Sequence, residues 1–215
     1  MSVVVAIKEN GKVYVGSDSQ VTKGWSRSTL KNPNNYKIWK VRNVDNCLMA
    51  HVGNVRDANI VRLMGGLISE YDVFYELVNY KFVVREIVPA IIKELKEHKY
   101  IKDNDYFEGM GSSFIFAYKD QLFLIASDGC VIEIDDYVAI GSGEDTAIGS
   151  LNSSIGEDPV TRIIKAIKSS ATSDIYVDYP IILSDTESTE FVVVTESKEK
   201  EFINKGEKYY EKKQK

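Results

Sequence analysis

The sequence is poor in the residues that most often build disulfides, metal centres and histidine-based catalytic sites. Its 215 residues include two cysteines, Cys47 and Cys130, and two histidines, His51 and His98. Both cysteines lie in apolar, strand-like runs outside any Cys-x-x-Cys or Cys/His cluster, so we expect two buried thiols and no disulfide. A Ser-His-Asp triad would use His51 as its base, but the sequence lacks the Gly-x-Ser-x-Gly motif that would supply its serine. His98 follows a charged run near a predicted helix end, where we expect a solvated cation.

Long apolar runs and an excess of positive charge are also missing. No apolar stretch reaches the length of about 18 residues that a membrane span needs, and the first residues lack the pattern of a secretion signal. We therefore expect no membrane partner and a cytoplasmic location. The formal net charge of −5 argues against nucleic acid as a partner, because phosphate binding requires an excess of Lys and Arg. A hydrophobic content of 44% with 27% charged residues is typical of a globular domain.

The apolar pattern predicts strands and helices in alternating groups. The chain opens with two β-branched runs around Asn10 and Gly11, the dipeptide typical of a tight hairpin turn. A polar surface loop follows at 24–35. Further strands are predicted at 36–43, 47–52, 113–118, 121–126, 130–134, 137–140, 175–177 and 191–195, and helices at 55–71, 73–98, 145–155 and 160–170. Pro89 is expected to kink the second helix.

This order of elements predicts the fold class and the domain organisation. Strands, two helices, strands, two helices and strands favour an α+β fold in which two sheets pack together with a helix pair on each outer face. The result is a four-layer αββα sandwich of two mainly antiparallel sheets. We assign residues 1–195 to this domain and residues 196–215 to a charged tail, expected to be a solvated helix or a frayed end.

Ser2 is the first candidate for chemistry. An initiator methionine is normally removed before a side chain as small as serine, which would give Ser2 a free α-amine beside its hydroxyl. Asp18 ends the second strand, and the opening hairpin can bring it close to Ser2. Alternatively, Asp18 caps a turn and Ser2 is only a permissive second residue.

Five local motifs, taken together, resemble the β-type proteasome subunits and HslV peptidases, which are N-terminal nucleophile hydrolases. The resemblance extends over residues 2–195 in element order, and no single motif is specific alone. The motifs are the opening hairpin with Asp18, Lys37 before Ile38, the strand-to-helix junction at 49–58, Ala-Ile-Gly-Ser-Gly at 139–143 and Ser-Asp-Ile at 173–175.

The resemblance implies a catalytic role for each polar residue in these motifs. Ser2 would attack a peptide carbonyl with its hydroxyl and use its α-amine as the base. Lys37 would lower the pKa of both groups, and Asp18 would hold Lys37 in place. Ser142 and Asp174 would orient the terminal amine and its water. The alternatives are an ordinary edge-strand lysine at position 37, a helix N-cap at Ser142 and a cap at Asp174.

Substrate contacts are also implied by the resemblance. The Ala50 N–H would bind the oxyanion, and Gly53, Val21 and Thr22 would bind substrate. Two positions differ from the family pattern, because Ser2 replaces the usual threonine and Ala50 replaces the usual glycine.

The function that the resemblance implies is a peptidase enclosed in a ring assembly. It implies a homo-oligomer of six or seven subunits per ring, stacked in pairs, with an AAA+ ATPase unfoldase as partner and proteins or peptides as substrates. No cofactor is required, and a monovalent cation near Asp174 is left open. Two alternatives remain, a catalytically silent ring or scaffold subunit and an amidohydrolase for small amides. A retained Met1 would block the α-amine of Ser2.

Overall fold

Two five-stranded sheets dominate the computed structural model, which describes residues 2–74, 77–98, 109–199 and 202–203. The strands are β1 Val3–Glu9, β2 Lys12–Ser17, β3 Gln20–Lys23, β4 Ser26–Thr29, β5 Ile38–Lys40, β6 Cys47–Gly53, β7 Ser112–Tyr118, β8 Gln121–Ile125, β9 Val131–Ile134, β10 Tyr137–Gly141, β11 Ile181–Asp185 and β12 Val192–Val194. The helices are α1 Val55–Leu63, α2 Glu70–Phe74, α3 Tyr80–Phe82, α4 Val88–His98, α5 Glu144–Ser153 and α6 Pro159–Ser173.

Both sheets are antiparallel throughout. The first has the order β10-β1-β2-β11-β12, and the second has the order β5-β6-β7-β8-β9. The β1–β2 hairpin turns at Asn10 and Gly11, which both have positive φ, at 55° and 74°. This confirms the predicted turn, because such a turn needs two residues that tolerate left-handed backbone. β3 and β4 form a separate two-stranded hairpin.

Three apolar clusters produce the predicted four layers. In β1, Val4 and Ala6 face the second sheet, where they pack with Ile38 and Leu48. Val3 and the alternate residues that follow it face α5 and α6 instead. The third cluster fills the space between the second sheet and the helices α1 and α4. Successive side chains of a strand point to opposite faces, so a strand covered on both faces reads as a continuous apolar run.

Several predicted element boundaries are wrong. The helix predicted at 55–71 ends at Leu63, just before Gly65 and Gly66, where φ of Gly66 is 69°. The helix predicted at 73–98 begins at Tyr80 instead, because the Asn79 side chain accepts the N–H of Phe82 as an N-cap. A π-helical turn, Val83–Ile87, precedes the helix that contains Pro89. Such turns occur where the regular helical hydrogen bonds are interrupted.

Other expectations from the sequence also change. The polar loop predicted at 24–35 contains β4 and a short 3-10 helix, Pro33–Asn35. No strand forms at 175–177; the strand at this point of the chain is β11. Cys130 is exposed rather than buried, because it lies in the turn before β9, whereas Cys47 is buried as predicted. His98 is the last residue of α4, with 57% of its side chain exposed, which confirms the predicted solvated position at a helix end.

The described beginning of the charged tail packs on the domain. Phe202 is buried in the cluster beneath α6, and Glu199 is only 3% exposed. The Glu199 carboxylate accepts hydrogen bonds from Lys168 Nζ at 2.6 Å and from the Tyr179 hydroxyl at 2.5 Å. These residues are therefore not a solvated end, while 200–201 and 204–215 lie outside the described residues. Within the described ranges, no helix has both the length and the apolar composition to cross a membrane.

Candidate active site

Ser2 lies between the first sheet and the turn that follows β10. Its backbone nitrogen donates a hydrogen bond to Ser142 Oγ at 3.1 Å. Its carbonyl oxygen lies 3.4 Å from both Ser142 Oγ and the N–H of Gly143, which donate to it. Gly143, not Ser142, is the N-cap position of α5, so the N-cap alternative for Ser142 is wrong. The turn at 141–143 therefore fixes the beginning of the chain at the end of β10.

Asp18 connects the residue next to Ser2 with Lys37. Its Oδ1 accepts the backbone N–H of Val3 at 3.0 Å and Lys37 Nζ at 2.6 Å. Its Oδ2 accepts the N–H of Gln20 at 2.9 Å, so the carboxylate also caps the turn after β2. Asp18 is fully buried. One carboxylate thus sets the positions of both ends of the hairpin and of the Lys37 side chain.

Lys37 precedes β5 and is 3% exposed, so the alternative of an ordinary edge-strand lysine is wrong. Burial lowers the pKa of Lys37 and raises the pKa of Asp18, while their mutual attraction and hydrogen bond oppose both shifts. Each of these two charged groups would cost roughly several kcal/mol if it were buried without the other, which is the scale expected for a lone ion in a protein interior. The pair therefore places the Lys37 ammonium, whose pKa is lowered by burial, beside the beginning of β1.

Gly141 allows the close approach of β10 to Ser2. Its φ is 109°, and a Cβ atom there would lie 2.2 Å from the Ser2 carbonyl oxygen. We expect Gly141→Ala to lower the free energy of unfolding by more than about 1 kcal/mol, because it adds both backbone strain and a clash. Urea unfolding measures this, with Gly149→Ala as control, because a Cβ at Gly149 meets nothing within 4 Å. Equal stability of the two variants would contradict the expectation.

The predicted oxyanion donor, Ala50, does not reach the site. Ala50 is fully buried within the sheet, opposite Ile38 on one side and Ile115 on the other. The next residue, His51, donates its N–H to Lys37 O on the β5 side at 3.0 Å. Because successive N–H groups of a strand point to opposite edges, the Ala50 N–H points toward β7. The prediction for Ala50 is therefore wrong.

Gly53, at the end of β6, is better placed than Ala50. Because N–H groups alternate along β6, the Gly53 N–H points toward the same edge as the His51 N–H, which is the β5 edge. Gly53 lies beyond the residues of β6 that pair with β5. Its φ is 120°, and a Cβ there would lie 2.6 Å from the Gly111 carbonyl oxygen. Gly53 lines both cavities that flank Ser2 and Ser142. A glycine is thus required at position 53, where the backbone borders both cavities.

The first of these cavities, which we call the Ser2 cavity, has a volume of about 240 Å³. Ser2, Lys37, Gly53, Val21 and Thr22 all line it, so the structure brings the predicted substrate contacts together with the predicted nucleophile. The second cavity, of about 390 Å³, is lined by Ser142 and by glycines, including Gly53. Together the two cavities form space on both sides of the Ser2–Ser142 contact.

Asp174 stands apart from these groups. It is the C-cap of α6, where its N–H donates to Ser170 O at 2.8 Å and its Oδ1 accepts the N–H of Tyr176 at 2.9 Å. The cap alternative for Asp174 is therefore confirmed. Among the described residues Oδ2 has no hydrogen-bond partner, and Ser142 Oγ accepts a hydrogen bond from the Ser2 nitrogen.

Two further residues of the Ser2 cavity were not predicted to contact substrate. His51 was considered only as a triad base, and Arg62 lies on the α1 face that reads as polar surface in the sequence. Their side chains enter the cavity because β6 leads directly into α1. The only sequence signal was their closeness to the junction at 49–58.

Comparison with known proteins identifies the family of this chain. The family model for "Proteasome subunit" matches residues 2–183. The HslV subunit of an ATP-dependent protease from Caldicellulosiruptor saccharolyticus is 27% identical over 180 residues, which cover 81% of this chain and 92% of that protein.

Solved structures share the fold of this chain. Thiobacillus denitrificans BPH in complex with epoxomicin has a TM-score of 0.66 and 19% identity, with 85% of this chain and 97% of that chain covered. Eukaryotic HslV from Trypanosoma brucei has a TM-score of 0.59 and 21% identity, with 85% and 98% covered. At such identities a structure shows a shared fold, whereas the family model spans most of this sequence. The chain belongs to the proteasome subunit family.

Proposed function

We propose that this chain is a proteasome-type peptidase in which Ser2 is the nucleophile after removal of Met1. The observation that carries the proposal is the buried Lys37–Asp18 pair, with 2.6 Å between Nζ and Oδ1, hydrogen-bonded to the backbone of Val3. A buried ion pair contributes little net stability, so its cost needs another reason. A cation beside a nucleophile is such a reason, because it favours the deprotonated hydroxyl.

The reaction that this arrangement supports is acyl transfer. Ser2 Oγ attacks the carbonyl carbon of a peptide bond, and its proton passes to the α-amine of the same residue, whose ordinary pKa is about 7.7 to 8.0. The carbon–nitrogen bond breaks, the leaving nitrogen takes the proton, and the acyl group stays on Oγ as an ester. Water, deprotonated by the same amine, then hydrolyses the ester. Ser142 Oγ, at 3.1 Å from the Ser2 nitrogen, orients the amine.

Gly53 replaces Ala50 in this proposal as the oxyanion donor. Its N–H lies past the end of the β5 pairing, and Gly53 lines both cavities. A backbone N–H that is already fixed by a sheet needs no reorganisation when charge develops on the substrate oxygen. Asp174 caps α6, and its Oδ2 has no hydrogen-bond partner within the part of the chain that the structure describes, so its role, and that of a monovalent cation near it, stays a prediction.

We also propose that the chain works in a ring of identical subunits, six or seven in number, stacked in pairs, with an ATPase partner. The support is the relative named as a subunit of an ATP-dependent protease, together with the matching family model. Enclosure would restrict the peptidase to unfolded chains that can enter the ring. Electron microscopy of the purified protein tests this, and a monomer at working concentration would contradict it.

Covalent labelling tests the proposed nucleophile directly. Epoxomicin is bound in the similar Thiobacillus structure, so it is a suitable probe. We expect mass spectrometry to find Met1 absent and the drug attached to the peptide that begins with Ser2. Ser153→Ala, at an exposed serine of α5, should be labelled like the wild type, whereas Ser2→Ala should not.

Each other outcome would contradict part of the proposal. A fully retained Met1 and no adduct would favour a catalytically silent ring or scaffold subunit. An adduct on Ser2 without hydrolysis of casein or of any peptide, combined with turnover of a small amide, would favour an amidohydrolase.

A further inference from the structure

The Ser2 cavity has one cationic group that no carboxylate of the described residues neutralises. Two of its lining residues are basic, Lys37 and Arg62, and none is acidic. Lys37 pairs with Asp18, which lies just behind it. Arg62 forms no ion pair among the described residues. The net effect is a positive charge inside the space beside the proposed nucleophile.

The Arg62 guanidinium is held in place but only partly satisfied. Its Cζ lies 4.9 Å from the centre of the buried Trp39 ring, and its Nη2 donates to the Tyr36 carbonyl. Its Nε and Nη1 are shielded from water and have no acceptor among the described residues. Burial lowers the pKa of Arg62 to about 10, which leaves the group charged at neutral pH. A buried donor without an acceptor costs about 1 to 3 kcal/mol, and more when it is charged.

His51 supplies a second unsatisfied group in the same cavity. It is 5% exposed, its ring is tilted against Trp39 at 5.8 Å, and its Nδ1 has no hydrogen-bond partner among the described residues. Burial and the charge of Lys37 lower the pKa of His51 to about 3, so the ring is neutral at neutral pH. It therefore adds a polar group to the cavity lining without adding charge.

We propose that Arg62, assisted by His51, makes the Ser2 cavity selective for an acidic side chain on the acyl side of the bond that is cut. This inference rests on the proposed function, because it assigns the substrate class of the same site. A carboxylate in the cavity gives the guanidinium the countercharge that it lacks among the described residues. The carboxamide of Gln has the same shape but no charge, so it accepts a weaker hydrogen bond. An apolar side chain leaves Arg62 unsatisfied.

A panel of fluorogenic peptides that differ only in the residue before the reporter group tests the preference. We expect kcat/KM for the Glu peptide to exceed that for the Gln peptide by about tenfold or more, which is the scale of a charge-assisted hydrogen bond. The ratio of Glu to Leu, and of Glu to Lys, should be larger still. Arg62→Gln should remove most of the Glu over Gln ratio. Arg62→Lys keeps the charge and should retain part of it. Arg85→Gln, an exposed arginine of the π-helical turn, is the matched control.

A binding measurement separates failure of this inference from failure of the proposed function. Labelled peptides that end in Glu or Gln, each with an amidated C-terminus, are titrated against the Ser2→Ala variant by fluorescence anisotropy. Tighter binding of the Glu peptide, lost in Ser2→Ala/Arg62→Gln, supports the cavity preference even if no peptide is cut. Equal binding and equal kcat/KM for Glu and Gln would overturn it, and so would a preference unchanged in a folded Arg62→Gln variant. Thermal unfolding of each variant shows that it is folded.

Discussion

Ser2→Ala is expected to lower kcat/KM for peptide hydrolysis by at least about a thousandfold, the scale seen when an enzyme loses its covalent nucleophile. The substitution removes Oγ and leaves the backbone nitrogen that donates to Ser142 at 3.1 Å. The Lys37–Asp18 pair should also remain, because Asp18 is held by the Val3 backbone and by Lys37 itself. The fold should therefore be kept, and the loss should appear in kcat. Initial rates with a fluorogenic peptide measure the effect.

Ser2→Thr is the control that separates chemistry from shape. Threonine carries the same hydroxyl, and its methyl group restricts the side-chain rotamer. We expect it to retain activity wherever its methyl fits, since Ser2 is 6% exposed and lines an open cavity. The active fraction of each preparation should equal the fraction of chains without Met1, measured by intact mass. Full activity of Ser2→Ala, or activity independent of Met1 removal, would contradict the assignment of the nucleophile.

The parts of the molecule that the sequence predicts well are those with a local cause. The Asn10–Gly11 turn sets the register of β1 and β2, and this register brings Asp18 to the backbone of Val3. Lys37 was predicted through the family resemblance, and the structure places its ammonium 2.6 Å from the Asp18 carboxylate. The fold class was predicted from a local pattern: periods of two and of 3.6 residues alternate in blocks.

The wrong predictions depend on relations that a sequence does not display. Ala50 and Gly53 are three residues apart in β6, and the edge to which each N–H points depends on which strand lies on that side and where it ends. β11 was missed because it follows the turn at 174–180 and pairs with β2, far away in the chain. Arg62 lines the cavity through its contacts with Trp39 and the Tyr36 carbonyl, which lie far from it in the chain. Each of these outcomes was decided by tertiary contacts.

Lys37→Met is expected to reduce both stability and activity. At pH 8 it should lower the free energy of unfolding by about 3 to 5 kcal/mol, because it leaves the fully buried Asp18 carboxylate without its cation. Activity should fall at least about a hundredfold, since the cation beside the nucleophile is lost. Without Lys37 the pKa of Asp18 rises further above its unfolded value. The folded state then binds more protons than the unfolded state, so the loss of stability should shrink as the pH falls toward 4. Urea unfolding at pH 8 and pH 5 measures this change.

Two further variants decide whether the pair serves stability or catalysis. Lys40→Met removes a lysine of β5 that is half exposed and pairs with Asp45 at 3.8 Å. Such surface pairs contribute less than about 1 kcal/mol, so this control should change little at either pH. In Asp18→Asn/Lys37→Met both charges are absent, and we expect most of the stability to return because no unpaired ion remains buried. Activity should not return with it, because a neutral, well-packed site still lacks the cation. If activity and stability recovered together, the pair would be a structural element only, and Ser2 would need another source of activation.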